Sequence, residues 1–311
     1  TGIGASGTGV EIVKDKKILI TGIYGFLGTH LATKLQFNNE VIGINLPNPN
    51  SSLSNIKIIE GDLSDPETFQ NINTDIDFIF HFGSPTSVVQ FKKDPIKCFN
   101  STINGMKNVL EYAKTNSIKK LIYPSSASVY SNNPQPHSEN VIPKPSNQYG
   151  VAKIECEKLA NEYINDVNSI GLRIFAAYGP GEEKKQNLSS VINLFLNDVL
   201  KNEIPVIFGD GTQTRDFIYI DDVITAILNS SEISQQGIIN VGSGNSISFN
   251  QIIEKIGIHT GKKINPQYVK KELSYVENLQ ADTQLMKSIL NINPISIDSG
   301  ITKFAKYLKI I

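Results

Sequence analysis

Tyr149 and Lys153 stand four residues apart in Tyr149-Gly150-Val151-Ala152-Lys153. In a helix that spacing puts both side chains on one face, one turn apart. A tyrosine is a poor base near neutrality, its unperturbed pKa being about 10. A neighbouring ammonium favours the phenolate and lowers that value. Such a pair can move a proton at an alcohol or a ketone. By itself the spacing also fits an ordinary solvated helix face, so its chemistry depends on what the rest of the chain places beside it.

A redox partner is offered by Thr21-Gly22-Ile23-Tyr24-Gly25-Phe26-Leu27-Gly28, which follows the apolar run Lys17-Ile18-Leu19-Ile20. Glycines between a first strand and a helix allow a tight turn and let the backbone approach a pyrophosphate. The helix start then presents free N–H groups and a partial positive charge. The spacing is Gly-x-x-Gly-x-x-Gly, with Phe26, Leu27 and Gly28 opening the helix. Asn45 ends the second predicted strand, where an acidic residue would bind the adenosine ribose hydroxyls of NAD. An asparagine can bond those hydroxyls without repelling a 2′-phosphate, so NADP stays open. No cation lies beside it to favour NADP, and NAD is the expected cofactor.

The elements that must hold these residues alternate. Strands are predicted at 17–20, 41–44, 56–59, 77–82, 120–123 and 171–175. Helices are predicted over 26–37, 94–116 and 148–166, the last carrying Tyr149 and Lys153. Continuous apolar strands alternating with helices argue for a doubly wound parallel α/β sheet covered on both faces. After Gly179-Pro180-Gly181 the pattern becomes mixed, with helices expected over 188–200, 219–230, 249–260 and 283–290. The expected organisation is a flexible leader or expression remnant over 1–13 and a dinucleotide-binding domain over 14–176. Segments near 216–245 return to that domain, Gly237 to Val241 joining the sheet. Residues 177–311 form a smaller, mainly substrate-binding α/β lobe.

Composition narrows the function classes. The chain of 311 residues carries a net charge of −1 with 19% charged residues, so it lacks the basic excess that nucleic-acid binding needs. Arginine occurs at Arg173 and Arg215 alone, which leaves two candidates for a bidentate anion clamp. The two cysteines, Cys98 and Cys156, lack metal-ligand spacing and form no disulfide framework. No metal site is expected, and a reducing, cytoplasmic setting is. No apolar run reaches the roughly 18 residues of a membrane span, and no signal peptide is visible.

The glycine turn, the Tyr149/Lys153 pair and several further motifs together resemble the extended short-chain dehydrogenase/reductase family, in particular its nucleotide-sugar epimerases and dehydratases. Those motifs are Gly61-Asp62-Leu63, His81-Phe82-Gly83-Ser84, Ser125-Ser126-Ala127-Ser128-Val129-Tyr130, and Arg173-Ile174-Phe175 with Tyr178-Gly179-Pro180-Gly181. In the second half they are Phe208-Gly209-Asp210-Gly211 and Arg215-Asp216-Phe217-Ile218-Tyr219-Ile220-Asp221-Asp222. The resemblance covers nearly the whole chain from Lys16 and implies a Rossmann-type sheet. It implies that Asp62 meets the adenine amine and Leu63 packs by its ring, while Phe82, Gly83 and Ser84 line the dinucleotide. Ser126 would hold the reacting sugar oxygen, and Lys153 would also hold the nicotinamide ribose. Asn187 and Leu188 would open the nucleotide-sugar site, Val206 and Phe208 would pack on the base, and Arg215 would bind the diphosphate. Arg173 is read as structural. A homodimer through the helices over 94–116 and 148–166 is also implied.

Departures from the family pattern sharpen the expectation. The dehydratases carry Asp-Glu where this chain has Ala127 and Ser128, and the decarboxylases want a glutamate at Ser128. Ala176 replaces an asparagine that often touches substrate. No arginine precedes Ala281-Asp282, where many members have a second diphosphate ligand; Lys270 or Lys271 is the nearest substitute. The resemblance therefore implies an NAD-dependent 4-epimerase working through a transient 4-keto sugar, with a UDP-sugar as substrate. A 4-ketoreductase or dehydrogenase with the same three residues is the alternative, a 4,6-dehydratase a more distant one, and a non-catalytic NAD-binding scaffold the reading from another class.

Overall fold

The apolar runs in the first half of the chain become strands buried on both faces. The computed structural model describes residues 13–51, 53–271 and 278–311, without the side chains of residues 186 and 187. In chain order the strands are β1 Lys17–Thr21, β2 Glu40–Asn45, β3 Lys57–Glu60, β4 Phe78–His81, β5 Lys120–Ser126, β6 Ser169–Ile174, β7 Ala176–Tyr178, β8 Val206–Phe208, β9 Thr214–Tyr219, β10 Gly237–Val241, β11 Ser246–Ser248 and β12 Gln267–Val269. The helices are α1 Phe26–Leu35, α2 Val88–Lys93, α3 Pro95–Thr115, α4 Gln148–Glu162, α5 Val191–Lys201, α6 Ile220–Glu232, α7 Phe249–Thr260 and α8 Ile297–Tyr307.

Among the described residues, seven strands form one sheet in the order β10-β6-β5-β4-β1-β2-β3. All of its pairings are parallel. The chain winds outward from β1 to β3, then crosses to β4 on the other side of β1. The connections leaving β1 and β4 therefore diverge and open a crevice at their C-terminal ends. The glycine turn and the segment Phe82-Gly83-Ser84 both begin there. One core, which includes Ile18, Ile20, Leu31 and Phe80, fills one side of the sheet, and a second, with Leu19, Ile79, Val109 and Leu121, fills the other.

Residues after Ile174 build the remainder. The β7, β9 and β11 strands make a three-stranded sheet, and β8 pairs with β12. Gly237–Val241 does return to the large sheet, where it lies parallel to β6. The expected boundaries shift in several places. Val13, assigned to the leader, is 5% exposed, and its carbonyl accepts a hydrogen bond from Asn39 Nδ2 at 2.9 Å; the rest of the leader lies outside the described residues. Helix α4 stops a turn before Asp166. Helix α5 starts at Val191 instead of Leu188, because Ser190 caps it by accepting from Asn193 N at 3.2 Å. The helix expected over 283–290 is present from residue 284, and its last turn, Met286–Leu290, is a wider π-helix. Helix α8 was not anticipated.

Strand β9 alternates its side chains in a way that matters for the site. Asp216 is 0% exposed. Its carboxylate accepts from Ser243 N at 2.6 Å, Ser243 Oγ at 2.7 Å, Gly244 N at 2.9 Å and Ala281 N at 3.0 Å. It ties three chain segments together, and Arg215 beside it points elsewhere. Replacing Asp216 by Ala would orphan buried donors and is expected to cost about 3 kcal/mol or more of stability; denaturant unfolding measures it.

Candidate active site

The residues singled out for chemistry sit at the end of β5 and in the first two turns of α4. Ser126 is the last residue of β5, and its hydroxyl accepts from Ser128 N at 3.1 Å, which caps the 3-10 turn Ala127–Tyr130. Helix α4 begins at Gln148 because Asn147 caps it, its side chain accepting from Gly150 N at 2.9 Å. The helix then packs on that turn. A Cβ added to Gly150 would lie 2.7 Å from Ser128 O, so only glycine allows the approach that brings Tyr149 to Ser126. Both side chains open on the same cleft, and the Ser126 hydroxyl lies close enough to lower the pKa of the Tyr149 phenol.

One turn along α4, Lys153 is 2% exposed. Its Nζ donates to Ser84 Oγ at 3.0 Å and lies 5.6 Å from the Tyr149 ring centroid. The electrostatics differ from the simplest reading of the spacing. Burial pushes Tyr149 up to about 12, and the Ser126 hydroxyl is what pulls it the other way. Burial also lowers the pKa of Lys153. In this geometry one Lys153 N–H goes to Ser84, and Ser126 is the group that favours a Tyr149 phenolate. His81, also buried, is pushed down to about 3 by burial and then by the Lys153 charge. It stays neutral and bonds Thr21 Oγ1 at 2.7 Å.

These residues open on a cleft of about 700 Å³. Its walls include Gly22, Gly25, Phe26, Leu27 and Gly28 from the turn after β1. Phe82 and Ser84 line it, as do Ser126, Tyr149 and Lys153, with Leu188 and Arg215 on the far side. Gly22 has a φ of +66°, and a Cβ there would sit 2.6 Å from Gly83 Cα, Gly83 N and Phe82 O. The loops after β1 and β4 touch through this glycine. Helix α1, alone among these walls, starts without a side-chain cap and without an acidic residue in its first turn. Its N–H groups thus remain for an anion, as a dinucleotide pyrophosphate requires.

The other expected residues take less direct places. Asn45 accepts from Tyr24 N at 3.3 Å, so its amide props the glycine turn. Asp62 is exposed and accepts from Ser64 N at 2.9 Å and Ser64 Oγ at 2.8 Å. Leu63 packs against Gly83. Asn187 lies in the 3-10 turn Glu182–Leu188, but its side chain is outside the described residues. Val206 and Phe208, 40% and 54% exposed, share the outer face of β8 and do not line the cleft, because strand alternation gives the inner face to Ile207. Arg215 lies with its guanidinium 5.5 Å from the Phe249 ring centroid, and its Nη1 donates to Thr214 O at 2.8 Å.

Sequence reasoning missed Lys184 and Lys185. Lys184 Nζ donates to Thr29 Oγ1 at 2.9 Å. Lys185 Nζ lies 4.3 Å from the Phe26 ring centroid, and its pKa is lowered by burial against the pull of Glu182. Both line the cleft and add positive charge where α1 begins. The signal was a lysine pair two glutamates after the glycine-proline-glycine turn. Among the described residues no group of His, Cys, Asp or Glu could hold a metal ion, and no helix is long and apolar enough to cross a membrane.

Residues 18–242 match the sequence profile of the NAD dependent epimerase/dehydratase family. The chain belongs to that family. As a member of the NAD-dependent epimerase/dehydratase family it is an NAD-dependent enzyme. It is 29% identical over 313 residues to a UDP-glucuronate 4-epimerase of Thermodesulfobacterium geofontis, covering 94% of this chain and 95% of that one. Among solved family structures, the UDP-N-acetylglucosamine 4-epimerase of Methanobrevibacter ruminantium M1, in complex with UDP-N-acetylmuramic acid, superposes with a TM-score of 0.87 at 29% identity, over 96% of this chain and 99% of that one. The UDP-glucose 4-epimerase of Thermotoga maritima with UDP-glucose gives a TM-score of 0.88 at 27% identity, over 94% and 98%.

Proposed function

We propose that this enzyme is a nucleotide-sugar 4-epimerase acting on a UDP-sugar. The observation that carries the reading is that Ser126, Tyr149 and Lys153 line one cleft together with the glycine turn and Arg215. The relatives at 29% and 27% identity, all named as UDP-sugar 4-epimerases, support it. Bound NAD supplies the acceptor for a hydride and the source from which it returns. Tyr149 takes the proton from the sugar hydroxyl at the reacting carbon and gives it back after the 4-keto sugar has turned. Ser126 donates to the oxygen as it becomes a ketone, and then to the developing alkoxide. Lys153, through Ser84, joins the loop after β4 to α4 and supplies positive charge beside the site.

Ala127 and Ser128 offer no carboxyl group to carry a proton for elimination, which supports epimerisation over dehydration. The test is to incubate the purified enzyme with UDP-sugars in D2O without added cofactor. The expected result is interconversion of the C4 epimers with the original hydrogen kept at C4. In a parallel assay with NAD(P)H added, its stoichiometric consumption would favour a reductase; in the D2O assay, deuterium at C4 would overturn hydride transfer.

Arg215 is the residue proposed to grip the diphosphate, since its fork matches two phosphate oxygens. Arg215→Lys is expected to raise KM about tenfold with kcat little changed, the signature of uniform binding lost; steady-state kinetics read the split. Residues 14–176 with the returning β10 would serve the cofactor, and residues from 177 on mainly the sugar nucleotide. The same reading includes a homodimer through α3 and α4, which lie side by side; analytical ultracentrifugation would show a single subunit mass if it is wrong.

A further inference from the structure

Behind Ser126 lies a row of polar side chains that the proposed chemistry does not use. Ser125, Arg173 and Asn240 occupy adjacent register positions across β5, β6 and β10, so their side chains share one face of the sheet. Glu157 comes down on this row from α4, one turn beyond Lys153 and two beyond Tyr149, on the same helix face. Its Oε1 accepts from Ser125 Oγ at 2.6 Å and from Arg173 Nε at 2.9 Å, and its Oε2 accepts from Arg173 Nη2 at 2.7 Å. Arg173 Nη1 donates to the Tyr130 hydroxyl at 2.8 Å, and Tyr130 donates to Asn240 Oδ1 at 2.7 Å. Asn240 Nδ2 then donates to the carbonyls of His137 at 2.8 Å and Asp282 at 3.1 Å.

Four pieces of chain are therefore clamped together: the end of β5, the turn Ala127–Tyr130, helix α4 and, through Asn240, the segment near Asp282. A buried ion pair is a poor source of net stability. Its fork geometry does fix the height and rotation of a helix over a strand. Tyr149 and Ser126 reach the cleft from that helix and that strand, and joint action on one substrate oxygen tolerates little sliding.

We infer that Glu157 and Arg173, acting through Ser125, are positioning residues that set α4 on β5 so that Tyr149 and Ser126 face one point of the cleft. The inference rests on the proposed role of those two hydroxyls, and its test separates the two. Ser125→Ala removes one hydrogen bond to the Glu157 carboxylate and leaves the ion pair with Arg173, so it keeps the fold. Glu157→Gln removes the charge and leaves the shape. A displacement of an ångström at a reacting group costs up to about 10²-fold in rate. Ser125→Ala is expected to lower kcat about tenfold, and Glu157→Gln more, with KM and retained NAD unchanged and Glu157→Asp recovering part of the loss. The alkaline limb of the kcat profile should move to higher pH in both, because Tyr149 loses the donor that favours its phenolate. If Ser125→Ala and Glu157→Gln keep the parent kcat and pH profile and lose only melting temperature, the positioning role falls. Should Tyr149→Phe also keep full activity, the chemistry assigned to the two hydroxyls falls with it.

Discussion

Replacing Tyr149 by Phe is expected to lower turnover about 10²–10⁴-fold, the usual span for a positioned acid–base group, while NAD stays with the protein. The substitution removes one oxygen and leaves the ring against Phe91, whose centroid is 5.6 Å away. Helix α4 and Lys153 should therefore keep their places. Kinetics together with the cofactor content of the purified variant check both halves of the statement. The pH dependence follows from the direction of the shift. Burial holds Tyr149 up to about 12, so below that value the phenolate fraction grows tenfold with each unit of pH. The oxidation step should quicken from pH 7 into the alkaline range, and Ser126→Ala should push the same limb higher, because it deletes the hydroxyl that lowers the tyrosine.

Gly22→Val is expected to produce protein that binds no NAD and melts at a lower temperature. Two costs coincide there. A φ of +66° is strained for a β-branched residue, typically by about 1–3 kcal/mol. The new side chain would also begin 2.6 Å from the backbone of Gly83, which has no flexible group to move aside. The loops after β1 and β4 would be pried apart at the mouth of the crevice. Calorimetry with NAD and a thermal melt separate lost affinity from lost fold. Unchanged NAD binding in this variant would mean that the contact between the two loops does not shape the cofactor site.

Much of this architecture is legible in the chain because its signals are local. The strands of the large sheet declare themselves as short apolar runs, and Phe249 to Thr260 forms the helix expected of it, with Ser248 and Gln251 making the capping box that starts it. Helix α8 was missed although Ser296 caps it and Ile301, Phe304 and Ala305 are buried, because Asn291 to Pro294 masked the renewed period. Strand β9 runs through Tyr219, the residue at which the following helix is expected to start: Phe217, Ile218, Tyr219 and Ile220 are all buried, and an apolar run has the same look in either element.

The sequence by itself determined the chemistry's vocabulary. A tyrosine four residues before a lysine, a serine ending a strand and a glycine turn after β1 are fixed by spacing along the chain, and helix and strand periodicity convert spacing into shared faces. Only the tertiary structure decided what each group does to the next. It gave the tuning of Tyr149 to Ser126 and turned Lys153 toward Ser84. It kept Val206 and Phe208 out of the cleft. It also set Glu157 on Ser125 and Arg173 beneath the catalytic hydroxyls. Those relations depend on burial and on distances between residues far apart in the chain, and local spacing carries neither.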